Sequence, residues 1–232
     1  DGTNGLRYFV SPTPGAPNGA STIVGVCAPV HANVSRGHFS RPFDLVLSCA
    51  TPGAELRYTT DGSEPTASSP LFPGTMRISA TTLFRAAAFK PNHLPSQTIT
   101  HSYLFNLPAA LRSLPVLSIV TATNHLYGSN GILGIQGGTY SGGPWQPVAP
   151  GDYHNPSKHG LAWERPVSVE WIRPEDNSGF QVDCGIRVHG SDYQRPRLTP
   201  SSKFSFRLYF RNDYGPGRLH YPLFPLTTVQ DF

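Results

Sequence analysis

With 232 residues the chain can hold one large or two ordinary domains, with a core that needs no cross-links. Its 23 Gly, 24 Pro and 14% charged residues exclude long helices and point to a mainly β protein with frequent turns. The formal net charge of +4 is spread along the chain without a Lys or Arg run, and no apolar stretch is long enough for a spanning helix. Neither nucleic acid nor a membrane-crossing segment is therefore expected.

Three cysteines, Cys27, Cys49 and Cys184, leave one unpaired even if the first two bond, and no CxxC spacing supports a zinc or thioredoxin-type site. Cys49 and Cys184 fall on the apolar faces of alternating strands and read as small buried hydrophobes. Few Lys and many Ser and Thr suit an extracellular, periplasmic or cell-surface location, with any signal peptide removed or lying upstream of Asp1. Asn33-Val34-Ser35 is a glycosylation sequon only in a eukaryotic secretory host.

In chain order, residues 1–28 run from Arg7-Tyr8-Phe9-Val10 into the Pro-rich Ser11-Pro12-Thr13-Pro14-Gly15-Ala16-Pro17-Asn18, the last strand of a preceding unit and a linker. From 29 to 106, strands near 43–49, 55–60, 76–79, 82–89 and 98–105 alternate with turn residues, the spacing of a sandwich. Phe43, Leu45, Leu47 and Cys49 share one face with Asp44 and Ser48 opposite; Leu56, Tyr58 and Thr60 repeat the pattern. Asp61-Gly62 then supplies positive φ for a tight turn. Asp61 and Glu64 read as turn-shaping residues, since a glycosidase pair must converge on a sugar from a formed cleft.

FSRPFDLVLS (39–48), RYTTDGSEPT (57–66) and TTLFRAAAF (81–89) together resemble the immunoglobulin-like module at the C-terminus of chitobiases and β-hexosaminidases. RYFVSPTPGAPN (7–18) is similar to the end of a lamin-tail-like module, commonly found ahead of it. Residues 107–113 form a linker, and the second region occupies 114–232.

That region opens with Pro115-Val116-Leu117-Ser118-Ile119-Val120, an apolar run expected to be a strand buried on both faces. The Gly-rich stretch 128–160 reads as a long ordered loop. Val167, Val169 and Trp171 then share a face, with Glu170 pointing away. Phe180, Val182, Cys184, Ile186 and Val188 alternate with polar residues, as do Phe204, Phe206, Leu208 and Phe210. If the two strands pair, Arg187, His189, Lys203 and Arg207 share the face opposite the core.

The 13-residue connection 190–202 adds Arg195 and Arg197 and makes an anion-binding element, or a solvated sheet face with an exposed loop. Asp192, Asp213 and Asp231 show no metal-ligand spacing and read as loop residues. Asp152, His154 and His159 lack a helix-face spacing, so no metal site is assigned.

SLPVLSIVT (113–121), YHNPSKHGLAWERPVSVEW (153–171), GIRVHGSDYQR (185–195) and KFSFRLYFRNDYGPGRLHYPLF (203–224) resemble, in order, the first half of a CotH-kinase-like (spore-coat protein H family) domain. The expected fold is thus an immunoglobulin-like β-sandwich followed by a partial α+β CotH-kinase-like region with antiparallel strands and long loops. The resemblance implies an atypical protein kinase that transfers a phosphoryl group from ATP, with Mg or Mn, to Ser or Thr. Lys203 and Arg187 are then the candidate nucleotide-phosphate contacts.

The loop 190–202 has a single Gly and two Pro, unlike a multi-glycine phosphate cover, and the catalytic carboxylates are expected beyond Phe232. The chain as given is therefore not expected to be active alone. The alternative is a non-catalytic extracellular structural or binding subunit of a surface or membrane-associated assembly, with a protein partner or carbohydrate. The aromatic residues Tyr140, Trp145, Tyr153, Trp163 and Trp171 are then either a binding face or internal packing.

Overall fold

A computed structural model describes residues 14–15, 23–140, 145–190 and 204–223. The chain divides into two compact units, one reaching to Leu114 and also counting Pro174–Asn177, the other formed from Pro115–Arg173 and Ser178–Phe232.

The first unit is an immunoglobulin-like β-sandwich. One sheet has the order β2 (Val30–Ala32), β4 (Phe43–Cys49), β6 (Thr75–Ile78) and is antiparallel. The other has the order β3 (Gly37–Phe39), β9 (Ile99–Phe105), β7 (Thr82–Phe89), β5 (Glu55–Thr59); only the β3–β9 pair is parallel. A short parallel pair, β1 (Gly25–Val26) with β8 (His93–Leu94), completes the unit.

Alternation decides which residues face inward. Leu45 and Leu47 from β4 meet Phe84, Ala86 and Ala88 from β7 and Tyr103 and Phe105 from β9 in one core. Phe84 and Tyr103 are fully buried, and the Tyr103 hydroxyl donates to the Val34 carbonyl at 2.9 Å, so the phenol enters the core with its polar end satisfied. Burial of each large side chain contributes about 1.5–3 kcal/mol.

The outward face of β7 is also covered. Ala87 and Arg85 are buried there, and the Asp61–Thr66 loop crosses above them. Gly62 takes φ 83°, the left-handed conformation that Asp-Gly was expected to supply. The Asp61 carboxylate accepts from the Ser63 backbone N–H at 2.9 Å and from the Ser63 hydroxyl at 2.5 Å, an Asx-turn whose bonds hold Asp61 below the usual carboxylate range.

The second unit is built on an antiparallel sheet ordered β10 (Val116–Val120), β13 (Arg165–Ile172), β14 (Gly179–His189), β15 (Ser205–Tyr209). Its apolar face gathers Val167, Val169, Val182, Cys184, Ile186 and Val188 with Ile132 and Leu219. The expectation that 115–120 is buried on both faces is corrected: among the described residues β10 pairs with β13 alone, and Leu117 is 47% exposed.

Between β10 and β13 lie one helical turn, α1 (Thr123–Leu126), and the short pair β11 (Ile135–Gln136) with β12 (Tyr153–His154). The buried Asn155 amide donates to the carbonyls of Ser129 and Gly131, both at 2.8 Å, which ties down one end of the Gly-rich segment. At its other end the Asp152 carboxylate accepts from the backbone N–H groups of Gly138, Val148 and Ala149.

Candidate functional site

The polar face of the second sheet is the place where charge accumulates under cover. Register fixes its membership: Ser118, Glu170 and Gln181 form one row, Ser168 and Asp183 the next, then Gly185 with Tyr209, then Arg187 with Arg207. Ser168 and Glu170 are fully buried, so this face differs from the usual solvated side of an antiparallel sheet. Gln181 Nε2 donates to Ser168 Oγ at 2.9 Å and to Asp183 Oδ1 at 3.0 Å.

At its lower end, Glu164, the residue just ahead of β13, has a side chain with 0% exposure. Arg211 Nε donates to its Oε1 at 2.9 Å, and Arg187 Nε lies 3.1 Å from its Oε2 as an ion pair without hydrogen-bond alignment. The Tyr214 ring lies beside this carboxylate over Gly185. Burial first, and then the neighbouring Glu164 charge, push the phenol above its ordinary range. The Arg187 guanidinium stacks on the Tyr209 ring, 3.8 Å from its centroid, and Arg211 stands 5.4 Å from the same ring.

Gly185 makes this assembly possible. A Cβ there would fall 2.6 Å from Glu164 Oε1 and 2.7 Å from Tyr214 Cε2, so the carboxylate and the phenol rest on bare backbone. A Cβ added at Gly215 would come equally near the Asp183 carbonyl, so a glycine lets the turn carrying Arg211 and Tyr214 pack closely on the sheet. On the opposite face Cys184 is buried; desolvation first, then the Asp183 and Glu164 charges, push its thiol up to about 12.

Of the candidates drawn from sequence, Arg187 sits at this cluster. β14 and β15 do pair, with Arg187 opposite Arg207, and the Arg207 guanidinium lies 3.3 Å from the His189 ring. Lys203, Asp192, Arg195, Arg197 and Asp231 lie outside the described residues. Asp213 is exposed beside Tyr214.

Asp152 is committed to three backbone donors, which lower its pKa. His154 is buried against Trp145 and Tyr140, with ring centroids 5.6 and 6.0 Å away, and neither ring nitrogen has a hydrogen-bond partner among the described residues. Trp145 lies flat on Gly138, where a Cβ would meet the indole at 2.1 Å, and Trp163 packs on the Arg165 guanidinium. These two aromatics are packing elements.

Glu164, Arg211 and Tyr214 were missed by sequence reasoning. A carboxylate one residue ahead of an alternating strand was the available signal, but its partner is 47 residues away. In the first unit the same holds for Arg85, whose Nη2 pairs with Glu64 Oε2 at 3.0 Å while the Thr98 hydroxyl donates to Glu64 Oε1 at 2.6 Å.

With Asp61 held in its Asx-turn and Glu64 in the Arg85 pair, the first unit can be compared with known modules. Residues 34–100 match the family model of the chitobiase/beta-hexosaminidase C-terminal domain. The match spans most of the sandwich core and leaves the second unit outside it. No curated protein and no solved structure matches the chain. No described helix is long and apolar enough to cross a membrane.

Proposed function

We propose that residues 114–232 are the N-terminal part of a CotH-like phosphoryl-transfer domain, presented by the chitobiase-like module in a secreted multi-modular protein. The location is extracellular, periplasmic or at the cell surface. The observation that carries this reading is the buried polar face on which Glu164 holds Arg187 and Arg211. Phosphoryl transfer asks a protein mainly to position phosphates and neutralise charge, and guanidiniums held by a buried carboxylate, one on the sheet and one on the turn after it, suit that task. Lys203, two residues ahead of β15 in sequence, would join Arg187 at the nucleotide phosphates, with ATP and Mg or Mn supplied from solution. The further acidic residues such chemistry needs are expected downstream of Phe232.

The test is a titration of ATP with Mg or Mn into a chain extended past Phe232, repeated on Lys203→Ala and Arg187→Ala. Affinity lost in both variants supports the reading; absence of ATP affinity, or affinity indifferent to Lys203, overturns it.

A second reading, a non-catalytic structural or binding subunit of an extracellular assembly, is favoured by the first unit. Its turn carboxylates Asp61 and Glu64 are both consumed by structural bonds, leaving a scaffold. Isolation of the native protein in a stoichiometric complex, with a protein or a carbohydrate partner, distinguishes this case.

A further inference from the structure

The geometry points to Arg187 and Arg211 as the two arms of a binding site for a phosphate group. Both arginines meet the Glu164 carboxylate through Nε, one on each oxygen. Neither guanidinium makes a hydrogen bond through its Nη groups to another described residue. An arginine that only neutralised a buried carboxylate would do so best by turning its two-nitrogen fork onto it; here Nε makes the closest approach in both.

Both side chains reach solvent, Arg187 at 17% and Arg211 at 41% exposure. A ligand can therefore meet these edges without unfolding anything. The pair is also preorganised: Tyr209 backs the Arg187 plane, while Glu164 is fully buried against the bare Gly185 backbone.

Charge favours an anion at this place. One carboxylate is shared by two guanidiniums, and Arg207 stands opposite Arg187 on the neighbouring strand. Opposing charge comes from Glu164 itself, from Asp183 in the row next to Gly185, and from Asp213, which is exposed, where solvent screens it. A planar carboxylate ligand would occupy a single fork. A tetrahedral phosphate offers oxygens to two forks at once, so the site is assigned to phosphate, whether free or carried by a nucleotide. This deepens the phosphoryl-transfer reading by adding Arg211 and by giving Arg187 a defined contact edge, but its test does not need ATP.

Inorganic phosphate and pyrophosphate are titrated by calorimetry into the full chain and into Arg211→Gln, with Arg77→Gln, an exposed residue of the first unit, as the control. Circular dichroism checks that each variant is folded. Pyrophosphate binding that weakens at least tenfold in Arg211→Gln and is unchanged in Arg77→Gln is the expected result. Arg187→Gln should behave like Arg211→Gln, and Glu164→Gln, which frees both arms, should also weaken binding and raise its salt sensitivity.

No pyrophosphate binding by the wild-type chain, or equal binding by Arg211→Gln, overturns the site. ATP with Mg run alongside separates the two ideas. Binding that depends on Lys203 but not on Arg211 refutes the clamp and leaves the kinase reading standing. Pyrophosphate binding that depends on Arg211, without ATP affinity in the extended chain, keeps the clamp and removes the kinase reading.

Discussion

Acid should destabilise the first unit through His101. Its ring lies on the core side of β9, where the Arg36 backbone N–H donates to Nδ1 at 3.3 Å and the Tyr103 ring is 5.9 Å away. An accepting Nδ1 carries no proton. Burial first, and the Arg36 charge second, bring the His101 pKa down from 6.5 to about 4. The neutral ring therefore contributes stability that is complete above pH 6.5 and disappears as pH falls through about 4.

At ~1.36 kcal/mol per pH unit the gap amounts to roughly 3 kcal/mol, an appreciable share of the ~5–15 kcal/mol that holds a domain together. His101→Phe keeps an aromatic ring beside Tyr103 and loses the titration. Urea unfolding followed by far-ultraviolet circular dichroism at pH 7.5, 6, 5 and 4.5 should show the wild-type protein losing more stability than the variant, with the gap widening below pH 6.5. Trp145, Trp163 and Trp171 all belong to the second unit, so tryptophan emission separates its unfolding from that of the first. Parallel loss in both proteins, or a His101 ring signal titrating near 6.5 in the folded protein, would refute the reasoning.

Three further outcomes are expected. Glu64→Ala strips the carboxylate from Arg85 and should cost about 1 kcal/mol of first-unit stability in urea, because Glu64 is itself 62% exposed and Arg85 keeps its bonds to Thr100 and the Gly62 carbonyl. Gly185→Ala drives a methyl into Glu164 and Tyr214 and should lower second-unit stability by about 1–3 kcal/mol, read by tryptophan emission; an unchanged midpoint would disprove the close approach. Cys184, fully buried with its thiol pushed up to about 12, should resist a disulfide-type thiol reagent until the second unit unfolds, whereas the half-buried Cys49 should react in the native protein.

Strand positions in the sandwich were readable because alternation is a local signal. Phe43 to Cys49 occupies the span that its period-two pattern marks out, and Thr82 to Phe89 the span expected between flanking turn residues. The strands at 25–26, 30–32, 37–39 and 93–94 were not, being only two or three residues long, too short for a period to register. The Asp61-Gly62 turn was legible for a related reason: positive φ is a property of those two residues and their neighbours. Alternation also put Arg187 and Arg207 on one face once β14 and β15 were paired.

The sequence by itself thus determined the class, most of the sandwich strands and the polar face of the second sheet. Only the tertiary structure decided which charges on that face meet, and that Glu164 rather than a solvent molecule would hold Arg187. It also decided that β10 has one neighbour among the described strands and that Arg85 is buried beneath the Asp61–Thr66 loop. The reason is range: side-chain alternation is fixed by adjacent residues. A buried ion pair such as Glu164–Arg211 depends on the register of strands far apart in the chain and on a glycine leaving room for it.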